Sequence, residues 1–259
     1  MKKKCSICKL PTKYYLTKLI LKKYKVKYLK CTNCHFIEAE KPRYWLEEAY
    51  SSAIIDADTG IIGRNLILSK ISSIIFLLFC NKKSKVLDYA GGYGITTRML
   101  RDIGIDCYWK DKYAENIFAK GFEDNGKTKY DMITAFELFE HLGNPVEKIT
   151  GVIKKYKPEV LFFTTMLHDG NPSNDWWYFA NSGGQHISLY TKKSLKILAK
   201  KAGMKLSSND RNIHILSKKR IPDFLVKIIS VLWPAVPLIS PLIYKSKTFS
   251  DYLKATSSK

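Results

Sequence analysis

The stretch VLDYAGGYGITTRML, residues 86–100, decides the fold of this chain. Val86 and Leu87 form the apolar end of a strand that reaches Asp88. Ala90, Gly91, Gly92, Tyr93 and Gly94 then make a small-residue turn, and ITTRML restarts as a helix. Glycine permits positive φ and close backbone approach, and a new helix offers free N–H groups at its start. A strand that breaks into such a turn and restarts as a helix builds a place for a nucleotide-like ligand. One glycine-rich turn suits several ligands, so its flanks have to choose among them.

Downstream, ITTRMLRDIG reads as a helix capped by Gly104, and IDCYWKD as a second strand ending at Asp111. An acid about 20 residues past the glycines is placed to accept two ribose hydroxyl bonds. A dinucleotide enzyme would carry GxGxxG. This chain has Asp88, Ala90, Gly92 and Gly94 at alternate positions instead.

That pattern, with its acid after the second strand, resembles the class I S-adenosylmethionine-dependent methyltransferases. Ala90 stands where the family has its first glycine, a mild departure if φ is negative there. The stretch KYDMITAFELFEHL, 129–142, matches the fourth-strand region of the superfamily. The resemblance implies that Asp88, Ala90, Gly91, Gly92 and Gly94 surround the methionine moiety, with Phe136 and Glu137 beside the donor, and that Asp111 holds the ribose. The implied fold is α/β, a Rossmann-like doubly wound sheet, over residues 85–218. FELFEHL, a Trp-Trp-Tyr loop and GQHISLYT together resemble bacterial methyltransferases of sugars and cell-surface polysaccharides. Such enzymes often begin with a CxxC…CxxC zinc-binding segment.

Residues 1–40 supply that segment. Cys5 and Cys8 form one knuckle and Cys31 and Cys34 another, separated by 22 residues, so four thiolates can close a structural Zn²⁺ site. His35 is then a bystander, since four sulfurs fill the shell. KVKYLKC alternates as a strand leading into the second knuckle. Residues 41–84 read as linker and helices packing on the core. The aromatic-rich start is a candidate helix, and DADTGIIGRN, 56–65, is either a turn-rich linker that folds over the ligand site, with Tyr50 and Arg64 as candidate contacts, or an ordinary solvated turn. The apolar run 66–80 reads as a buried helix. Cys80 and Cys107 are core.

Between Asp111 and Asp131 there is too little chain for a full helix, a third strand and their loops. FAKGFEDNGKTK is expected as a short helix and a loop, with Phe118 or Phe122 as adenine-stacking candidates. Beyond it come a helix stopped by Pro158, a buried strand at 159–167, and the loop DWWYFANSGGQHISLYT, 175–191. A helix capped by Thr191 and two last strands follow.

Methyl transfer to a hydroxyl needs alignment and proton removal, for which a histidine is suited. His141, after Glu137 and Glu140, is the favoured base, with Glu140 orienting it. His186 and Gln185 are substrate contacts, and Trp176, Trp177 and Tyr178 are stacking candidates. Each histidine has a structural alternative, His141 bonded to backbone at a helix start and His186 holding its loop. Glu137, Glu140 and His141 are also a conceivable divalent-metal set, but no further acid pair in the sequence supports it.

The net charge of +21, from 44 Lys and Arg against 23 Asp and Glu, favours anionic partners, although an excess of Lys over Arg also fits a general compositional bias. Residues 219–259 form a basic and apolar C-terminal tail. Its uncharged run 228–244 holds Pro234, Pro237 and Pro241, which argues against a straight spanning helix and for a segment at an anionic membrane surface. No apolar h-region follows the basic N-terminus, and the cysteine usage suits a reducing compartment, so the expected location is cytoplasmic, at most peripheral at the inner membrane face. The expected acceptor is a sugar or glycan. RNA is the alternative, because a zinc ribbon ahead of such a domain and a basic chain suit it as well. Against RNA, no Asn-Pro-Pro-Tyr or Asp-Pro-Pro-Tyr motif follows the fourth strand.

Overall fold

The computed structural model describes residues 3–50 and 58–257. Two sheets organise them. The larger has six strands: β4 (Val86–Tyr89), β5 (Cys107–Lys110), β6 (Met132–Ala135), β7 (Val160–Thr164), β9 (Lys205–Ser208) and β10 (Ile213–Ser217), in the order β5-β4-β6-β7-β10-β9. β5, β4, β6 and β7 are parallel, and β10 lies antiparallel between β7 and β9. From β4 the chain first winds outward to β5 and then returns to β6 on the other side. That reversal opens a crevice at the carboxyl ends of β4 and β6, where ligands of open α/β sheets bind. Residues 88–94 and 136–141 lie at its two rims.

Alternation along the strands builds three layers. Val86, Met132, Val160 and Phe162 pack against Leu68, Ile71, Ile75 and Phe76 of α2 (Ile61–Phe79). Leu87, Ile133, Leu161 and Phe163 face the other way, onto Ile149 and Ile153 of α4 (Pro145–Tyr156) and Leu195 and Leu198 of α5 (Lys192–Lys201). Each such fully buried side chain contributes roughly 1.5–3 kcal/mol. Thr191 caps α5: its Oγ1 accepts from the Ser194 N–H at 3.1 Å while the Ser194 hydroxyl reaches the Thr191 N–H at 3.0 Å.

The short interval after Asp111 does lack a third strand. All that remains of one is a parallel bridge between Trp109 and Glu123, closed by two 2.8 Å hydrogen bonds, Trp109 N–H to Phe122 O and Asp124 N–H to Trp109 O. The short helix expected around Phe118 does not form; the segment is turns, pinned where Asn116 donates to Glu123 at 2.6 Å and Tyr130 and Tyr156 donate to Asp124. With so little chain, side-chain bonds replace the backbone ladder.

The second sheet is β1 (Thr12–Ile20), β2 (Tyr24–Cys31), β3 (Ile37–Ala39) and β8 (Ser188–Leu189). β8 comes from the loop expected to touch substrate, so the cysteine segment is hydrogen-bonded to that loop through β3. α1 (Arg43–Ala49) follows, with Trp45 fully buried and donating to the Gly184 carbonyl at 2.9 Å. The expected linker is partly helical, because Gly63, Arg64 and Asn65 belong to the first turns of α2; its first two residues, with the rest of 51–57, lie outside the described residues.

The tail forms α6 (Asp223–Leu232), α7 (Val236–Ile243) and α8 (Thr248–Ser257). Pro234 and Pro237 sit in the first turns of helical segments, where the missing N–H does no harm, and Pro241 lies inside α7. By length and composition two helical stretches could cross a membrane, Ile61–Phe79 with 39% of its apolar window buried and Asp223–Ile243 with 17%. The first is a core helix. The second leaves most of its apolar surface outside the protein.

Two buried histidines make folding pH-dependent. His214 lies between the Ser208 hydroxyl at 2.8 Å and the Thr165 carbonyl at 2.9 Å, and burial lowers it to about 4. Burial also lowers His168 to about 4. The unfolded chain binds protons first, from about pH 6.5 downward, so this stability is complete above that value and is lost as pH falls towards 4. Going from pH 7 to pH 5 is expected to cost about 2 kcal/mol for each of the two. Urea midpoints across that range, with His214→Gln showing a shallower slope than the parent, check this.

Candidate active site

At the first rim, Asp88 is buried under the glycine turn. Its Oδ1 accepts from Thr134 at 2.8 Å and its Oδ2 from Thr97 at 3.0 Å. Burial raises the carboxyl to about 6 and the two hydroxyls oppose that rise. The turn is shaped from below. A Cβ on Gly91 would stand 2.7 Å from Asp88 Oδ2, and one on Gly94 2.7 Å from Asn116 Oδ1, whereas one on Gly92 would meet nothing. Gly92 therefore faces the open crevice, with φ of 53°, and its N–H donates to Asp111 Oδ2 at 3.0 Å. Asp111 also accepts from the Tyr113 N–H at 2.7 Å and the Ala114 N–H at 3.0 Å, which holds its carboxylate at the crevice edge.

Ala90 corrects the sequence reading. Its φ is +60°, in the left-handed region, not the negative value that would make alanine harmless. A Cβ there costs roughly 1–2 kcal/mol. Ala90→Gly is expected to raise stability by about 1 kcal/mol, read as an increase in the thermal midpoint; an unchanged or lower midpoint would show that the turn relaxes around the methyl group.

At the second rim, Glu137 has φ of 48°, and its backbone N–H and Oε1 both engage the Thr164 hydroxyl, at 2.9 and 2.7 Å. Phe136 packs edge-on against Phe162 at 4.9 Å between ring centroids, half-buried in the core beneath the crevice. Glu140 is fully buried. Tyr178 donates to its Oε1 at 2.6 Å, and Oε2 has no hydrogen-bond partner among the described residues. Burial, with the Glu137 charge adding to it, pushes the Glu140 carboxyl up to about 8. His141 meets the Tyr50 hydroxyl through Nδ1 at 2.8 Å, and burial pulls it down to about 3. The His186 ring lies 5.2 Å from the His141 ring, and its Nδ1 is 2.7 Å from the Tyr178 carbonyl. Burial lowers His186 too. Arg64 faces this group and is held by Asp58 through bonds of 2.9 and 2.7 Å.

The structure thus gathers Glu140, His141, His186 and Tyr178 into one cluster. It sends other candidates elsewhere. Gln185 is buried and donates to the Ala49 carbonyl at 2.6 Å, so it ties the loop to α1 instead of facing the crevice. Trp176 packs on His168, Tyr178 and Phe179, while Trp177 is 69% exposed. Thr97, Thr134, Thr164 and Asn116 escaped the sequence reading, because single polar residues carry no local pattern; only their positions at the carboxyl ends of strands or beside the turn could have marked them.

The four cysteine sulfurs converge within 4.8 Å of one another, with Cys5 to Cys34 at 3.7 Å and Cys8 to Cys31 at 3.3 Å. A tetrahedral zinc with bonds of about 2.3 Å needs sulfur edges of about 3.8 Å. The N–H groups of Asn33 and Cys34 both point at Cys31 Sγ at 3.4 Å, as outer-shell donors to a thiolate would. The bond between Cys5 and Cys34 lowers the Cys5 thiol and raises that of Cys34, as two sulfurs sharing one proton do. The set fits zinc.

A family model described as a methyltransferase domain matches residues 64–209, more than half of the chain. The chain belongs to this methyltransferase family. Residues 64–209 accordingly form its methyltransferase domain. Several solved methyltransferases are similar to it over part of their length. CalO1, a methyltransferase in calicheamicin biosynthesis in its SAH-bound form, is 14% identical with a TM-score of 0.47, over 63% of this chain and 55% of that one. An O-methyltransferase family protein from Burkholderia thailandensis is 15% identical with a TM-score of 0.43, over 69% and 68%. The magnesium protoporphyrin IX methyltransferase of Synechocystis PCC 6803 is 14% identical with a TM-score of 0.41, over 66% and 90%. The methyltransferase spans 57% of the length of TnmH and 55% of CalO1. No curated protein matches it.

Proposed function

We propose that this methyltransferase O-methylates a carbohydrate hydroxyl in glycan or cell-surface polysaccharide assembly. The observation that carries the reading is the loop at 175–190, where Trp177 is exposed while its neighbour Tyr178 donates to Glu140 in the buried polar cluster. A large ring left in water on a loop that also reaches such a cluster suits stacking on the apolar face of a sugar.

In this reading Asp111 holds the donor's ribose, and the turn at 90–94 cradles its methionine end. Methyl transfer is an in-line displacement from a sulfonium that is already activated, so alignment does most of the work. The acceptor hydroxyl must still lose a proton. Of the two histidines His186 suits that task better. Donation from Nδ1–H to the Tyr178 carbonyl leaves Nε2 with a free lone pair, whereas burial has made His141 a weak base. The structural metal we assign to the four cysteines is Zn²⁺, and metal analysis of reduced protein should find it.

The tail is proposed as a contact with an anionic membrane surface. Leu238 and Leu242 are 78% and 86% exposed, with Lys218, Lys219, Arg220, Lys245 and Lys247 close by in sequence. Flotation with phosphatidylglycerol vesicles should capture the parent but not Leu238→Ser/Leu242→Ser; equal capture of both sinks the contact. The acceptor is tested by labelled methyl transfer to sugar nucleotides, lipid-linked glycans and RNA side by side. Label in a glycan is expected, and label in RNA alone overturns the reading.

A further inference from the structure

The sequence offered Glu137, Glu140 and His141 as a weak metal set. The fold changes that set by bringing His186 to Glu140 and His141. We propose that Glu140, His141 and His186 bind a divalent cation that holds the acceptor hydroxyl, which rests on the reading that the acceptor is an oxygen nucleophile. One ligand atom from each of the three lies within 4.8 Å of the others.

Three features prepare these side chains for an ion. Glu140 is 0% exposed, and with Oε1 occupied by Tyr178 its Oε2 has no partner among the described residues. A buried carboxyl oxygen without a partner is costly, and a cation that displaces its proton supplies the missing partner. The Tyr178 carbonyl can only accept, so His186 Nδ1 carries the proton and Nε2 presents its lone pair. Tyr50 engages His141 at Nδ1, which leaves Nε2 as that ring's ligand atom. Tyr178 therefore orients two of the three ligands, one through its hydroxyl and one through its carbonyl, in the manner of outer-shell groups at metal sites.

One carboxylate and two imidazoles suit ions between hard and soft, such as Mn²⁺, Co²⁺ or Zn²⁺, better than the all-oxygen preference of Ca²⁺. Three protein ligands leave coordination positions open for water and an acceptor oxygen. The cation-held hydroxyl releases its proton to solvent, and an oxygen lone pair forms a bond to the methyl carbon. The carbon–sulfur bond breaks with its electron pair going to sulfur, which leaves a methyl ether and neutral S-adenosylhomocysteine. The histidines then hold the ion instead of taking the proton.

The probe is Mn²⁺, titrated into the zinc-loaded full chain and followed by loss of the free-ion electron paramagnetic resonance signal. One Mn²⁺ per chain is expected to bind. Tyr178→Phe should weaken it about 10- to 100-fold, and Glu140→Gln and His186→Asn by at least as much, while Trp177→Ala leaves it unchanged. Retained S-adenosylmethionine binding shows that a variant is folded; Tyr178→Phe, the mildest change, keeps the test decisive if the ligand variants are not. No bound Mn²⁺, or binding indifferent to all three variants, overturns the site. Methylation of a hydroxyl without bound Mn²⁺ but dependent on His186 restores the base and leaves the acceptor reading standing. Bound Mn²⁺ with label only in RNA keeps the site and removes the carbohydrate reading.

Discussion

Asp111→Ala should weaken S-adenosylmethionine binding by about 100-fold or more. Hydrogen bonds to a charged group contribute roughly 1.5–3 kcal/mol each, and in the proposed reading this carboxylate receives two from a ribose. The loss has a second component. Asp111 also accepts from the Gly92 N–H at 3.0 Å, so the variant releases a turn residue above which there is open space. Asp111→Asn keeps one acceptor oxygen and should lose about 10-fold. Calorimetric titration measures both. An Asp111→Ala protein that binds the donor as well as the parent would sink the pocket assignment, provided its thermal midpoint stays within a few degrees of the parent's.

Asp251→Ala is expected to destabilise the chain by about 3 kcal/mol or more, and to free the last helix. Arg101, on α3 (Ile95–Ile103), gives two parallel bonds of 2.7 Å to the Asp251 carboxylate on α8, and Arg98 adds one of 2.9 Å. Both members of the central pair are buried, with side-chain exposures of 5% and 8%. Removing the acid strands a guanidinium whose remaining partners are Asp106 at 3.0 Å, the Cys107 carbonyl at 3.1 Å and the Phe122 ring. The thermal midpoint should fall by about 6–12 °C, and residues beyond Tyr244 should become sensitive to protease. Arg101→Met with Asp251→Leu should recover most of the loss, because an apolar pair replaces a buried ion pair at little cost. If the single variant melts with the parent, α8 is not anchored by this pair. Gly104 reports on the same docking, since a Cβ there would stand 2.5 Å from the Lys245 carbonyl.

The readable parts of this protein were those whose signal is local. The turn at 88–94 announced itself because small residues, an upstream apolar strand and a downstream helix lie within one short stretch. Paired CxxC knuckles carry their ligand geometry in their own spacing, and Thr191 with Ser194 spells a cap. Even the missing strand was legible, as a length too short to hold one.

Other features were set by distance. Nothing near Ala90 shows that its φ is positive; that follows from β5 holding the turn through Lys110 and Asp111. The sequence alone determined an α/β methyltransferase core with a glycine-rich turn and a four-cysteine segment, because strand period, turn chemistry and ligand spacing act over a few residues. Only the tertiary structure decided that β8 joins the cysteine segment to the acceptor loop, and that the tail closes on Arg101. It alone set Tyr50, Glu140, His141, Tyr178 and His186 around one buried point. Apart from Tyr178 with His186, 8 positions apart, those contacts join residues at least 38 positions apart, where packing of whole layers, and no local preference, selects the neighbours.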